Sequence, residues 1–206
     1  MAKTRIYLTR HGQSEGNVRG DIFGSDPPLT QHGIEQATQL VTLFADRPIQ
    51  TIYASERRRA HQTAALIAEA KELEVRQTAA LNERFFGILE GKTGEEGRGM
   101  CGDRFHQFAQ VSLKEQLQWE LAPEAETFAS VIRRTSLFLA EVAATQKGDV
   151  LAISHANVMV GLLVHFGFAT FNQLPYGSIQ NTGYMCLESN GKHLHLKEVQ
   201  GITRKA

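Results

Sequence analysis

A chain of 206 residues, 42% of them apolar, holds enough core-forming side chains for one sizeable domain and is short for two. Lysine plus arginine equals aspartate plus glutamate at 22 each, so no global field recruits nucleic acid or an acidic membrane surface, and any anionic ligand must be held by local charge. Cys101 and Cys186 are too few for a disulfide framework and lack zinc-site spacing, and no apolar run approaches the roughly 20 residues of a membrane span; a cytoplasmic, unexported protein is expected.

The first apolar run, RIYLT (Arg5 to Thr9), reads as a strand rather than a signal peptide. Thr30 is the expected N-cap of a helix with Ile34, Ala37, Leu40, Val41 and Phe44 on one face. TIYAS (Thr51 to Ser55) reads as a second strand, followed by a helix from near Ser55 to about Ala70 that offers Ala60, Ala64 and Ile67 to the sheet. LEVRQ (Leu73 to Gln77) is a third strand. GKTGEEGRGMCG, Gly91 to Gly102, carries five glycines. Such a stretch is expected to bury little apolar surface and to hold no long helix, although Thr93 to Glu96 spells a capping box; it reads as the start of a mobile cap over 91–122. A longer helix is expected from Pro123, with Glu124 and Glu126 in its first turn and Phe128, Val131, Ile132, Thr135, Phe138 and Val142 along it, stopping at Gly148. DVLAIS (Asp149 to Ser154) reads as a buried strand. TGYMCLE and KHLHLKEV, separated by Ser189 to Gly191, read as a closing hairpin at one edge. The alternation predicts an α/β fold: three layers, α/β/α, with a mainly parallel sheet, helices on both faces and an antiparallel edge hairpin, all in one domain over 1–206.

In open α/β sheets ligands gather beyond the carboxyl ends of the strands. Arg10 and His11 lie at such an end, and Gly12 permits a tight turn against a ligand. His155 follows DVLAIS in the same way. In SERRRAHQTA, Ser55 to Ala64, a cap at Ser55 would put Arg59 just after the first helical turn, leaning back toward the strand ends, with Arg57 and Arg58 on other sectors. Glu83 in LNERFFGILEG is the acidic candidate, with Glu90, Glu95 and Glu96 nearby. His193 and His195 alternate on a strand but find no third ligand, so no metal site is expected. His32, His61, His106 and His165 are read as ordinary structural residues.

LTRHGQSEGN, SERRRAHQTA, LNERFFGILEG and ISHAN occur in the order that resembles the histidine phosphatase superfamily, the phosphoglycerate mutase-like fold. DPPLTQHGIEQA and PEAETFASVIRR are similar to that family's connecting segments, so the resemblance covers about residues 4 to 160. It implies hydrolysis of phosphate monoesters without metal or organic cofactor. His11 would be the nucleophile that forms phosphohistidine, its other ring nitrogen held as N–H by a backbone carbonyl. Arg10 and Arg59 would fork onto phosphoryl oxygens, His155 would donate to a nonbridging oxygen, and Glu83 would serve the leaving alkoxide as acid and then water as base. The resemblance places Gln13, Asn17, Phe23, Gly24, Arg84 and Ala156 around the substrate. The partner it implies is a small-molecule phosphate ester, with neither nucleic acid nor membrane; a homodimer is left open.

The departures bear on substrate. Where phosphoglycerate mutases usually have tryptophan before the asparagine matched by Asn17, this chain has Gly16. Their Glu-Arg-His-Tyr-Gly motif becomes Glu83-Arg84-Phe85-Phe86-Gly87, which loses a tyrosine hydroxyl, and the basic insertion for a substrate carboxylate is not recognisable. Ala156 and Val160 stand where glycine and arginine are common. A phosphatase is therefore expected; the alternatives are a phosphoglycerate mutase on the same centre and an idle phospholigand-binding or scaffold protein.

Overall fold

The computed structural model describes residues 4–21, 26–190 and 193–205. Its strands are β1 (Arg5–Arg10), β2 (Ile49–Ala54), β3 (Val75–Gln77), β4 (Asp149–Ser154), β5 (Ile179–Ser189) and β6 (Leu194–Ile202). They form a six-stranded sheet in the order β3-β2-β4-β1-β5-β6. The first four pair in parallel, while β5 runs antiparallel to β1 and β6 antiparallel to β5, so the hairpin closes one edge as expected. The described α-helices are α1 (Glu15–Arg19), α2 (Gln31–Leu43), α3 (Arg58–Lys71), α4 (Gly94–Cys101), α5 (Arg104–Gln110), α6 (Leu113–Leu117), α7 (Phe128–Thr145) and α8 (Ala156–His165).

Period-two alternation divides the core. Ile6 and Leu8 of β1, with Val150 and Ala152 of β4, face α7 and α8 through Val131, Leu139, Val142 and Leu162. Tyr7, Leu151 and Ile153 face the other way, onto Leu40 of α2 and Ala60, Ala64 and Ile67 of α3. Burial on both faces explains why DVLAIS lacks polar alternation: every residue of β4 is buried.

Several boundaries differ from the sequence reading. The α3 helix starts at Arg58, with Arg57 rather than Ser55 at the N-cap: the Ser55 hydroxyl donates to Asn82 Oδ1 at 2.8 Å, accepts from His155, and accepts from Arg57 N at 3.2 Å in a turn ahead of the helix. Arg59 is thus the second helical residue and lies inside the first turn. The α7 helix starts at Phe128 behind a Thr127 cap, not at Pro123. Residues 124–126 are held elsewhere: Glu124 has a left-handed φ of +65°, Ala125 bridges Phe86, and Glu126 N donates to Phe85 O at 2.8 Å. Ile34, expected on the apolar face of α2, is exposed; Gly33 is buried there instead. The helix start packs directly on the loop after β1. A Cβ on Gly33 would sit 2.0 Å from Gln13 O, and one on Gly12 would sit 2.4 Å from Gly33 O.

Residues 91–122 hold three short helices, α4 to α6, with capping boxes at Thr93–Glu96 and Ser112–Glu115. No long helix forms, as expected. Within Gly91–Gly102 Cys101 alone joins the apolar burial, packing with Phe86, Leu89, Leu121 and Ala122 in a satellite core, while Met100 is exposed. Gly94 and Gly97 are buried in α4, whereas Gly91, Gly99 and Gly102 have open space where a side chain would stand.

Candidate active site

Arg10 ends β1 opposite Ser154, the last residue of β4, so the histidine that follows each strand emerges beside the other. The His11 and His155 rings lie 5.1 Å apart. His11 is buried, and its Nδ1 sits 2.6 Å from Gly12 O, a pure acceptor, so Nδ1 carries the proton. Its Nε2 accepts from Arg59 Nε at 3.1 Å. Burial, then Arg59 and Arg10, push the His11 imidazolium well below the usual histidine range. The result is a neutral ring whose Nε2 lone pair points into a basic frame and is held there by Arg59.

His155 is fully buried and belongs to a directed chain. Arg59 Nη2 lies 3.2 Å from His155 Nδ1, which must accept; His155 Nε2–H then donates to Ser55 Oγ at 2.8 Å, and Ser55 donates to Asn82 Oδ1. Asn82 is oriented in turn by Glu56, whose main-chain N–H donates to Oδ1 and whose carboxylate accepts from Nδ2 at 2.9 Å. Burial, then Arg59, keep this ring neutral too.

Arg10 donates through Nη1 to Ile179 O at 2.5 Å, while its buried Nε meets no partner among the described residues. Burial lowers the pKa of Arg10 and Arg59, with Glu83 opposing it at both. Arg59 also lies 3.6 Å from Asp26 Oδ1. Thr63, one turn beyond Arg59, accepts from Gly12 N at 3.1 Å and donates to Arg59 O. Asn181 Nδ2 donates to His11 O at 3.0 Å. Next to it Thr182 adopts a φ of +60°, uncommon for a β-branched residue, within the irregular start of β5.

Glu83 lines the cavity over these groups. Its carboxylate accepts from Arg84 N at 2.8 Å and from Asn157 N, in the first turn of α8, at 3.4 Å. Glu90 is turned instead to Phe86 N, and Glu96 to its capping box. Asn17 lines the cavity, but its Oδ1 already accepts from Ser14 N and Asn181 Nδ2, so it can offer a ligand only its N–H donors. Gln13 and Ala156 are also on the wall. Arg84 lines it as well, yet its guanidinium is engaged: Nε donates to Glu126 O at 2.6 Å, Nη2 to Trp119 O at 2.9 Å, and it stacks on Phe128 at 4.3 Å. Burial lowers its pKa to about 10. Phe23 and Gly24 lie outside the described residues. His195 lies beside Glu188, in the edge hairpin.

Sequence reasoning passed over Ser55 as a histidine partner, and over Asn82, Thr63 and Asn181. Thr63 carried a readable signal, standing four residues after Arg59 on the same helical face. Asn181 carried none, because its position depends on a register irregularity. The cavity, about 880 Å³, also has an aromatic wall that was not read: Phe105, Phe108, Trp119, Phe128 and Phe171.

A doubly covered, mostly parallel sheet with paired histidines and arginines at its strand ends is a phosphate-handling architecture. The family model described as histidine phosphatase superfamily, branch 1, matches residues 6–201, and the chain belongs to that superfamily. The adenosylcobalamin/alpha-ribazole phosphatase of Salmonella typhimurium is 32% identical over 159 residues, 75% of either chain. The human 6-phosphofructo-2-kinase/fructose-2,6-bisphosphatase 4 is 33% identical over 83% of this chain, which spans 34% of that protein. Among solved structures, Bacillus stearothermophilus YhfR superposes with a TM-score of 0.81 at 29% identity, covering 97% of this chain and 98% of that one.

Proposed function

We propose that the protein hydrolyses small phosphate monoesters through a phosphohistidine on His11. The observation that carries this is the His11 ring: neutral, tautomer fixed by Gly12 O, lone pair on Nε2 directed at Arg59. The phosphoryl oxygens take the place of the Arg59–His11 contact and engage both arginines, including Arg10 Nε. Nε2 then attacks phosphorus, the P–O ester bond breaks, and Glu83 gives its proton to the departing alkoxide. Water attacks the phosphohistidine, the N–P bond breaks, Glu83 takes the water proton, and inorganic phosphate leaves.

His155 is neutral with its proton on Nε2 in the free protein and becomes an imidazolium as phosphate arrives, taking the second proton from solvent or from a monoanionic phosphate ester. With Nδ1 unprotonated it can only accept, so donation to a phosphoryl oxygen requires a proton at Nδ1. The negative charge of the ligand favours that proton, which burial and Arg59 exclude in its absence.

The cations for the oxygens are supplied by arginine, so the reaction calls for no metal. Supporting a single cytoplasmic domain are one sheet shared by both core clusters, two buried free cysteines and balanced charge. No helix among the described residues is long and apolar enough to cross a membrane. Against phosphoglycerate mutation stands the commitment of Arg84 to main-chain carbonyls, which leaves a substrate carboxylate without a dedicated cation on the described wall. The test is acid-labile phosphoenzyme trapping with an aryl phosphate. Wild type should label and release phosphate, while His11→Ala should do neither and lose turnover by at least about a thousandfold. Unlabelled wild type with residual turnover in His11→Ala would refute the mechanism.

A further inference from the structure

The relatives' names carry different alcohols, so family membership does not choose the substrate. The shape and charge of the cavity do. Its volume, about 880 Å³, is near the upper end for small-molecule sites and far exceeds what a phosphate and a three-carbon acid would fill. Beyond the phosphate end one wall is built of rings. Phe108 touches Trp119, Phe128 and Phe171 at centroid distances of 6.3, 6.1 and 5.5 Å, and Phe128 lies 4.5 Å from Phe171. Trp119 Nε1 meets no hydrogen-bond partner among the described residues, so the indole is held by its faces rather than its polar edge. Phe105 and Tyr176 line the mouth while 41% and 77% exposed, apolar area that a ligand would remove from water.

The facing wall is polar without being cationic. Gln36, Gln180 and Asn181 contribute neutral amides; Glu83 contributes a carboxyl group, and the Asp21 carboxylate is held by Arg19 Nη2 at 2.8 Å. The described cations on the lining are Arg10 and Arg59 at the phosphate end and Arg84, whose Nε and Nη2 donate to main-chain carbonyls; Arg104, off the lining, covers the Trp119 ring at 5.0 Å and donates to Leu121 O. A second anionic group on the substrate would meet rings and neutral amides, with no described cation on the lining beyond the phosphate end except the carbonyl-bonded Arg84.

We propose that the physiological substrate is a phosphate monoester of an uncharged alcohol that bears a flat aromatic or heteroaromatic group, with the phosphate as its only anionic centre. This rests on the phosphohydrolase reading above. The rings of Phe105, Phe108 and Trp119 stack on that group, and the amides opposite serve neutral polar substituents beside it.

The experiment separates the two readings. Hydrolysis is compared for 1-naphthylmethyl, benzyl, 4-carboxybenzyl and n-butyl phosphates, all esters of primary alcohols with similar leaving groups. In parallel, binding of the corresponding non-hydrolysable phosphonates to His11→Ala is measured by calorimetry. The naphthylmethyl ester should exceed the butyl ester in kcat/KM by about 30-fold or more, from added apolar burial. The carboxybenzyl ester should fall at least about tenfold below the benzyl ester. Phe105→Ala and Trp119→Ala should each shrink the naphthylmethyl-to-butyl ratio several-fold; Phe105 is half-exposed, which keeps that variant folded. Equal rates for the naphthylmethyl and butyl esters, or for the carboxybenzyl and benzyl esters, would overturn the substrate class and leave the hydrolase intact. Phosphonates that bind with the aromatic order, without phosphate release from any ester, would instead overturn the hydrolase reading alone. Phosphonate binding indifferent to the rings would overturn the proposal whatever the turnover.

Discussion

Two neutral buried histidines make the folded state sensitive to mild acid. In the unfolded chain His11 and His155 titrate near pH 6.5, whereas in the fold burial and the neighbouring arginines hold both well below that. Below pH 6.5 the unfolded chain therefore binds protons that the folded chain refuses, so stability is greatest above 6.5 and drains away as the pH falls. At pH 5, some 1.5 units below the unfolded value, each histidine that stays neutral costs about 2 kcal/mol, and the pair about 4 kcal/mol. That is a large part of a typical folding free energy of about 5–15 kcal/mol. Urea unfolding at pH 7.5, 6 and 5, at fixed ionic strength in buffers free of phosphate and sulfate, measures the loss. Stopping at pH 5 keeps most carboxylates ionised. His11→Asn and His155→Asn should each remove about 2 kcal/mol of the loss between pH 7.5 and 5, whatever they do to stability at pH 7.5. A loss the same in wild type and both variants would mean that the rings are protonated in the fold, and the assignment of His11 Nε2 as a lone-pair donor would fall with it.

The chain from Arg59 to Asn82 predicts that nitrogen-15 NMR of the free protein shows His155 protonated at Nε2; Ser55→Ala should lose that single tautomer and about 1–3 kcal/mol of stability, since a buried N–H is left without an acceptor. A proton on Nδ1 in the wild-type spectrum would reverse the relay. Gly33→Ala should cost about 1–3 kcal/mol in denaturant melts, because its methyl meets the Gln13 carbonyl rather than a yielding side chain, and should slow turnover by displacing the loop that carries His11. Wild-type kinetics in Gly33→Ala would show that the loop tolerates movement.

What was legible in the sequence followed local rules. DVLAIS was readable end to end because a strand covered on both faces needs no polar alternation, and Thr30 capped α2 as its position before an apolar period suggested. The four strand-end motifs placed Arg10, His11, Arg59 and Glu83 on one cavity, with His155 fully buried behind Arg59 and off the lining, except that the route to Arg59 was mistaken. Ser55 looked like a cap because serine before a helix normally is one; its hydroxyl does take a main-chain N–H, from Arg57, but in a turn ahead of the helix that also serves His155 and Asn82. The start of α7 was misread for a similar reason, since Glu124 and Glu126 resemble first-turn acids while Glu126 is bound by Arg134 and by the main chain of Phe85. The aromatic wall was hidden by scatter: Phe105, Phe108, Trp119, Phe128 and Phe171 come from four separate segments, and no period links them.

Arg84 joins two tasks that the remaining residues keep apart. Its main-chain N–H holds the Glu83 carboxylate, while its guanidinium holds the Trp119 carbonyl and lies on the Phe128 ring. With Glu83 as the proposed proton donor, proton delivery and the ring wall would hang from one residue, like two pans on a single beam. On that proposal a ligand seated against Trp119 would steady the carboxyl that meets the departing oxygen, and a ligand too small to reach the wall would leave that end of the beam unloaded. In kinetic terms, truncating the alcohol should register in kcat as well as KM, the mark of binding energy from a remote group being used at the reacting bond.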